Sequence, residues 1–160
     1  MRRAWLTGLV LLGLGLLTSC GPPIRDLAAV HKDDSGRIMV ELGQCGGSGR
    51  IVGVHAAGLP DDGGQVSWSP GREADQPGPF PLFAPPGAGN GEGGRDGPQS
   101  LESRSTYIVA FEVLDGHRVL YRSSTEFRRT DIEGLRPDQV WANGKAMSRK
   151  KYRAYVKDEC

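Results

Sequence analysis

Histidine and cysteine are scarce, three of each in 160 residues, and neither recurs at short spacing. Without a Cys-x-x-Cys or His-x-His pair the sequence offers no metal centre, and we expect neither a metal nor a cofactor. The acidic doublets Asp33-Asp34 and Asp61-Asp62 lack the Asp-x-Asp-x-Asp-Gly pattern of a calcium loop and read as turn residues. Residues 43–49 are glycine-rich, but Gly49 is followed by Arg50 and a strand-like Ile51, Val52, Gly53, Val54, His55. A P-loop needs Gly-Lys-Ser/Thr opening a helix, so this stretch reads as a hairpin connection. Gly46-Gly47-Ser48-Gly49 lacks the spacing of a nucleophile elbow. His31, His55 and His117 lie in or beside turns and strand ends and read as surface residues rather than bases. An excess of one charge is missing too: 20 basic residues face 19 acidic ones, which gives no electrostatic case for nucleic acid or for an anionic membrane surface.

What is present begins at the N-terminus. Arg2 and Arg3 precede an uncharged, Leu-rich run over residues 6–17, and small residues follow at once, the three-part layout of a secretory signal. A helix of that run rises about 18 Å, short of the roughly 30 Å hydrocarbon core, so it is a signal and not a span. Leu17-Thr18-Ser19-Cys20 resembles the lipobox of bacterial lipoproteins. The resemblance implies that residues 1–19 are a signal peptide, that a diacylglycerol is attached to Cys20, and that the mature chain begins there. An unlipidated secretory signal would want an Ala-x-Ala-like site, which Thr18-Ser19-Cys20 fits poorly. Gly21 and Pro22-Pro23 then start a tether, and we take residues 20–36 as a lipidated N-terminal tether. Removal of residues 1–19 takes two arginines and no acid, leaving 18 basic against 19 acidic residues and a formal charge of −1.

Lipidation of Cys20 leaves Cys45 and Cys160 as an even pair in an oxidising compartment. We expect a disulfide between them. The alternatives are two free thiols, or a metal pair completed by a histidine. A bridge closing more than a hundred residues is worth about 4 to 5 kcal/mol on the chain-entropy model.

Between these markers the chain reads as short strands. Arg37, Ile38, Met39, Val40, Glu41, Leu42 alternates, with Ile38, Val40 and Leu42 on one side. Val66 to Trp68 is a possible short strand. Residues 70–98 hold eight glycines and seven prolines and read as a flexible insertion. Its apolar island, Phe80, Leu82 and Phe83 among prolines, either docks on a partner or folds back over an open sheet edge. Tyr107, Val109, Phe111 and Val113 alternate with Thr106, Ile108, Ala110 and Glu112. A three-residue loop at Leu114-Asp115-Gly116 would set Phe111 opposite Val119 and Val109 opposite Tyr121, and pair Glu112 with Arg118. Asn143-Gly144 reads as a hairpin turn and Tyr152 to Val156 as a final strand. Arg149, Lys150, Lys151, Arg153 and Lys157 make this end basic, the composition of a solvated edge or of a contact for an anionic wall polymer or headgroup.

These strands and turns, without a long helical period, predict an all-β fold: a small antiparallel β-sandwich over residues 37–160. Leu135-x-Pro137-x-x-x-Trp141 is similar to the pattern that carries the tyrosine corner of fibronectin type III and immunoglobulin-like domains, with Trp141 in place of the tyrosine. The layout as a whole resembles small uncharacterised lipoproteins of high-G+C Gram-positive bacteria, which implies attachment to the extracytoplasmic face of the cell membrane. We expect a non-catalytic binding or envelope-interaction module, with an envelope protein or wall polymer as partner. The alternative is a small envelope hydrolase whose site is assembled from non-adjacent residues.

Overall fold

A computed structural model describes residues 21–46, 49–70, 78–83 and 100–160. The signal peptide and Cys20, Gly47 and Ser48, and most of the 70–98 insertion lie outside the described residues. In chain order the elements are β1 (Ile24–Arg25), β2 (Ala28–Lys32), β3 (Ile38–Leu42), β4 (Arg50–Pro60), β5 (Val66–Trp68), β6 (Phe80–Pro81), β7 (Ser105–Asp115), β8 (Arg118–Arg128), α1 (Arg129–Glu133), β9 (Gln139–Ala142), β10 (Lys145–Ser148) and α2 (Arg149–Glu159).

Period-two alternation builds the first sheet, of order β1-β8-β7-β4-β5. Along β7, Tyr107, Val109, Phe111 and Val113 are buried and the residues between them are half-exposed, as expected of a strand with one face on a core. Tyr121 and Phe127 of β8 and Ile51, Val54 and Ala56 of β4 continue the same buried face. The second sheet, of order β10-β9-β2-β3-β6, supplies Ala28, Val30, Val40 and Phe80 to that same core. Its outer face carries Ala29, Val140, Ala142 and Met147, which pack with Tyr152 of α2. The chain is thus a two-sheet β-sandwich with a helix laid over one sheet.

Several expectations are corrected. The segment taken as a tether enters the fold at once: Ile24–Arg25 pairs in parallel with β8, and β2 is the central strand of the second sheet, with Ala28 to Val30 fully buried. Because β2 is covered on both faces it shows no alternation to be read. The glycine-rich link at 43–49 is not a hairpin, since β3 and β4 belong to different sheets. The loop between β7 and β8 is Gly116-His117, with Gly116 at φ +58° and Asp115 opposite Arg118. A register shift beyond Leu114 and Val119 then places Val113 opposite Tyr121, Phe111 opposite Ser123 and Glu112 opposite Arg122. The cause is Leu120, an extra residue on β8 that packs against the core. The Asn143-Gly144 turn is observed, with both residues at positive φ and Ala142 opposite Lys145.

The expected final strand is the helix α2. Tyr152 is buried and Tyr155 and Val156 are half-buried, the i, i+3, i+4 stripe of an amphipathic helix. Ser148 caps it, its hydroxyl accepting from the Lys151 N–H at 3.2 Å. Gly43 lies directly beneath: a Cβ there would sit 2.6 Å from Val156 Cγ2 and 2.9 Å from the Leu27 carbonyl oxygen.

Candidate functional site

The ends of α2 and β3 meet at the disulfide Cys45–Cys160, with Cα atoms 5.1 Å apart across 115 residues. Hydrogen bonds from both sheets converge on it. The Cys45 N–H donates to the Tyr121 hydroxyl at 3.0 Å, and the Tyr152 hydroxyl donates to the Leu27 carbonyl at 2.8 Å and the Glu41 carbonyl at 3.3 Å. Burial raises both phenols above their ordinary value, helped at Tyr152 by the Glu41 charge. The Arg25 guanidinium stacks 5.6 Å from the centre of the Tyr121 ring. This end of the molecule is a structural clasp, tying the C-terminus to the first strands.

The three histidines do not come together. His31 is 2% exposed, on the β2 face that carries Ala29, so it is not the surface residue expected. Its Nδ1 is buried without a hydrogen-bond partner. Burial, then the Arg149 charge, push it down to about 4 against a weaker pull upward from Asp33. His55 and His117 are exposed. Among the described residues none of the three hydrogen-bonds a carboxylate or a serine, and no three His, Cys, Asp or Glu side chains are grouped to hold a metal.

Phe80, Leu82 and Phe83 are placed in and against the core. Phe80 pairs opposite Val40, Leu82 is fully buried, and the Trp68 indole N–H donates to the Leu82 carbonyl at 3.1 Å. Phe83 stacks on Trp68 at 5.9 Å. Of the two sequence alternatives, the segment takes the fold-back over an open sheet edge and is not an exposed docking patch.

Two poles remain. At one, Pro60 to Asp62 and Glu102 to Ser105 line an open cleft of about 610 Å³, held by a bond from the Asp61 N–H to the Arg104 carbonyl at 2.8 Å. Toward the other, where β4 and β8 begin, runs the start of the chain: the Arg122 N–H, four residues into β8, donates to the Pro23 carbonyl at 3.0 Å, and Ile24 beside it stands 77% exposed. Here the chain joins Cys20, the predicted lipid site. Sequence reasoning missed this pole because β1 is two residues long and pairs with a strand almost a hundred residues away. No protein-family model, no curated protein and no solved structure matches the chain.

Proposed function

We propose that the protein is an extracytoplasmic lipoprotein, held to the cell membrane by a diacylglycerol on Cys20, whose sandwich is a non-catalytic binding module of the envelope. The observation that carries this reading is the Cys45–Cys160 disulfide. A bridge of this kind persists in an oxidising compartment, and it takes up the two cysteines that lipidation of Cys20 leaves. Among the described residues no helix is long and apolar enough to cross a membrane, so attachment on this reading rests on the lipid. The immunoglobulin/fibronectin-like class of the sandwich is the finer part of the proposal. Its support is Trp141, whose indole N–H donates to the Glu126 carbonyl at 2.8 Å and so ties β9 to β8 from the corner-tyrosine position.

Mass spectrometry of the mature N-terminal peptide from native membranes tests the anchor. The expected result is a diacylglyceryl mass on a peptide beginning at Cys20, lost with relocation to the medium in a Cys20→Ala strain. An unmodified peptide, or a retained signal sequence, overturns it. Cross-linking in intact cells tests the module: a stoichiometric envelope partner is expected, and turnover of a cell-wall substrate by the purified chain would overturn the non-catalytic reading.

A further inference from the structure

The position of Pro23 and Ile24 says how the domain sits on the membrane, given the lipid anchor on Cys20 proposed above. Three Cα-to-Cα steps, across Gly21 and Pro22, lead from Cys20 to Pro23, the first of the described residues whose backbone is bonded to the sandwich. At no more than about 3.6 Å per residue this link reaches about 11 Å. The polar layer on each side of the hydrocarbon core is itself roughly 5 to 8 Å thick. A lipid seated in the bilayer therefore brings the start of β1 to the headgroup layer, with almost no slack for the domain to swing away.

The side chains at that pole suit such a seat. Of the large apolar side chains among the described residues, Ile24 at 77% and Val66 at 41% are the exposed ones. Ile24 is at the anchor and Val66 at the opposite edge of the same sheet. Ile24 lies beside Arg122 in register, on the outer face, where Arg122 pairs with Glu112 at 2.7 Å. Four residues nearer the Gly116 turn on β8 is Arg118, opposite Asp115, and at the same end of the sheet, two strands beyond β8, is Arg50, opposite Leu114. Arg50 and Arg118 are exposed and form no ion pair among the described residues. Unpaired arginines at the end of a sheet suit a phospholipid interface, their alkyl stems in the boundary and their guanidinium groups at phosphate level, with the exposed Ile24 on the approach from the anchor.

We propose that the end of the first sheet carrying the Gly116 turn, Arg118 and Arg50, toward which the chain runs back from Ile24, lies in the phospholipid headgroup layer. The sandwich is then seated on the bilayer rather than carried on a flexible stalk. The cleft between Asp61 and Glu102 consequently points away from the membrane, toward the rest of the envelope.

The test uses the full lipidated protein in vesicles of phosphatidylcholine and phosphatidylglycerol with brominated acyl chains, which quench tryptophan at close range. Ile24→Trp and Val66→Trp proteins are compared with the parent. The added fluorescence of Ile24→Trp should be quenched several-fold more than that of Val66→Trp; equal quenching overturns the seating. Because a tryptophan can itself seek an interface, the unsubstituted lipidated protein is also followed by hydrogen exchange in vesicles and in detergent. Amides of residues 113–120 should exchange several-fold more slowly on vesicles while those of residues 60–64 do not change; no difference between the two segments overturns the seating. A diacylglyceryl mass with equal quenching defeats the seating alone, whereas an N-terminal peptide without that mass, failing to float with vesicles, defeats the anchor and the seating together.

Discussion

Protonating His31 in place would put a second positive charge near Arg149, on a strand covered from both sides. The folded chain refuses that proton until about pH 4, whereas the unfolded chain accepts it near the ordinary histidine value of 6.5. Above 6.5 both states are neutral at this site and nothing is lost. As pH falls from 6.5 toward 4 the unfolded state binds more protons, so stability falls, by at most about 1.4 kcal/mol per pH unit and about 2 to 3 kcal/mol in all. Asp33 does not blur this window, because the Ser35 hydroxyl and Arg37 hold its carboxyl well below the usual carboxylate range. Urea unfolding at about pH 7.5 and about pH 4.5 should show the drop in the parent and most of it removed in His31→Gln. An equal drop in both proteins would place the effect elsewhere. Gly43 makes a second residue-scale prediction. The close approach of Val156 and the Leu27 carbonyl leaves no room for a methyl group, so Gly43→Ala should destabilise by about 1 to 3 kcal/mol. Val156→Ala in the same chain should recover part of that loss, read as a coupling between the two sites in thermal unfolding.

At the scale of elements, α2 depends on what holds its two ends. Ser148 caps the start, Tyr152 bonds the Leu27 carbonyl from the middle, and Cys160 fixes the finish to Cys45. Cys160→Ser, or reduction of the native protein, should lower unfolding free energy by about 2 to 5 kcal/mol, measured in urea with and without a thiol reductant. Tyr152→Phe should lower it by about 1 kcal/mol with the bridge intact, leaving the Leu27 carbonyl with the Gly43 N–H as its remaining donor. The two elements also mark what was legible. The disulfide follows from counting cysteines, and β3 and β7 follow from alternation. The helix was misread because Tyr152, Tyr155 and Val156 are strand-favouring residue types, although their spacing is helical. The β7–β8 register was misread because one extra residue, Leu120, is taken up by packing that no local pattern announces. β2 carries a continuous buried run, and such a run has no period to detect.

At the scale of the molecule, the fate of Phe80 to Phe83 depends on partners far along the chain, Val40 on β3 and Trp68 on β5. This is why the sequence could not choose between a docking segment and a cover for the sheet edge. The structure makes the segment part of the closure of the sandwich: Phe80 adds to the second sheet while Trp68, on the edge of the first, donates to Leu82 and stacks on Phe83. Truncation should therefore act on folding. Phe80→Ala should cost about 3 to 5 kcal/mol as a buried large-to-small change. Phe83→Ala, half-buried against Trp68, should cost about 1 kcal/mol, mostly from the lost ring contact. Urea unfolding of the two single variants and the double variant separates this from a surface role. A docking segment would leave the unfolding midpoint unchanged and weaken only capture of a partner, whereas a closing segment moves the midpoint in the order Phe83→Ala, Phe80→Ala, double variant. Since Phe80, opposite Val40, and Phe83, stacked on Trp68, sit on one short segment, their losses should not add. Once the edge strand β6 is released by the first substitution, less of the second contact remains to be lost.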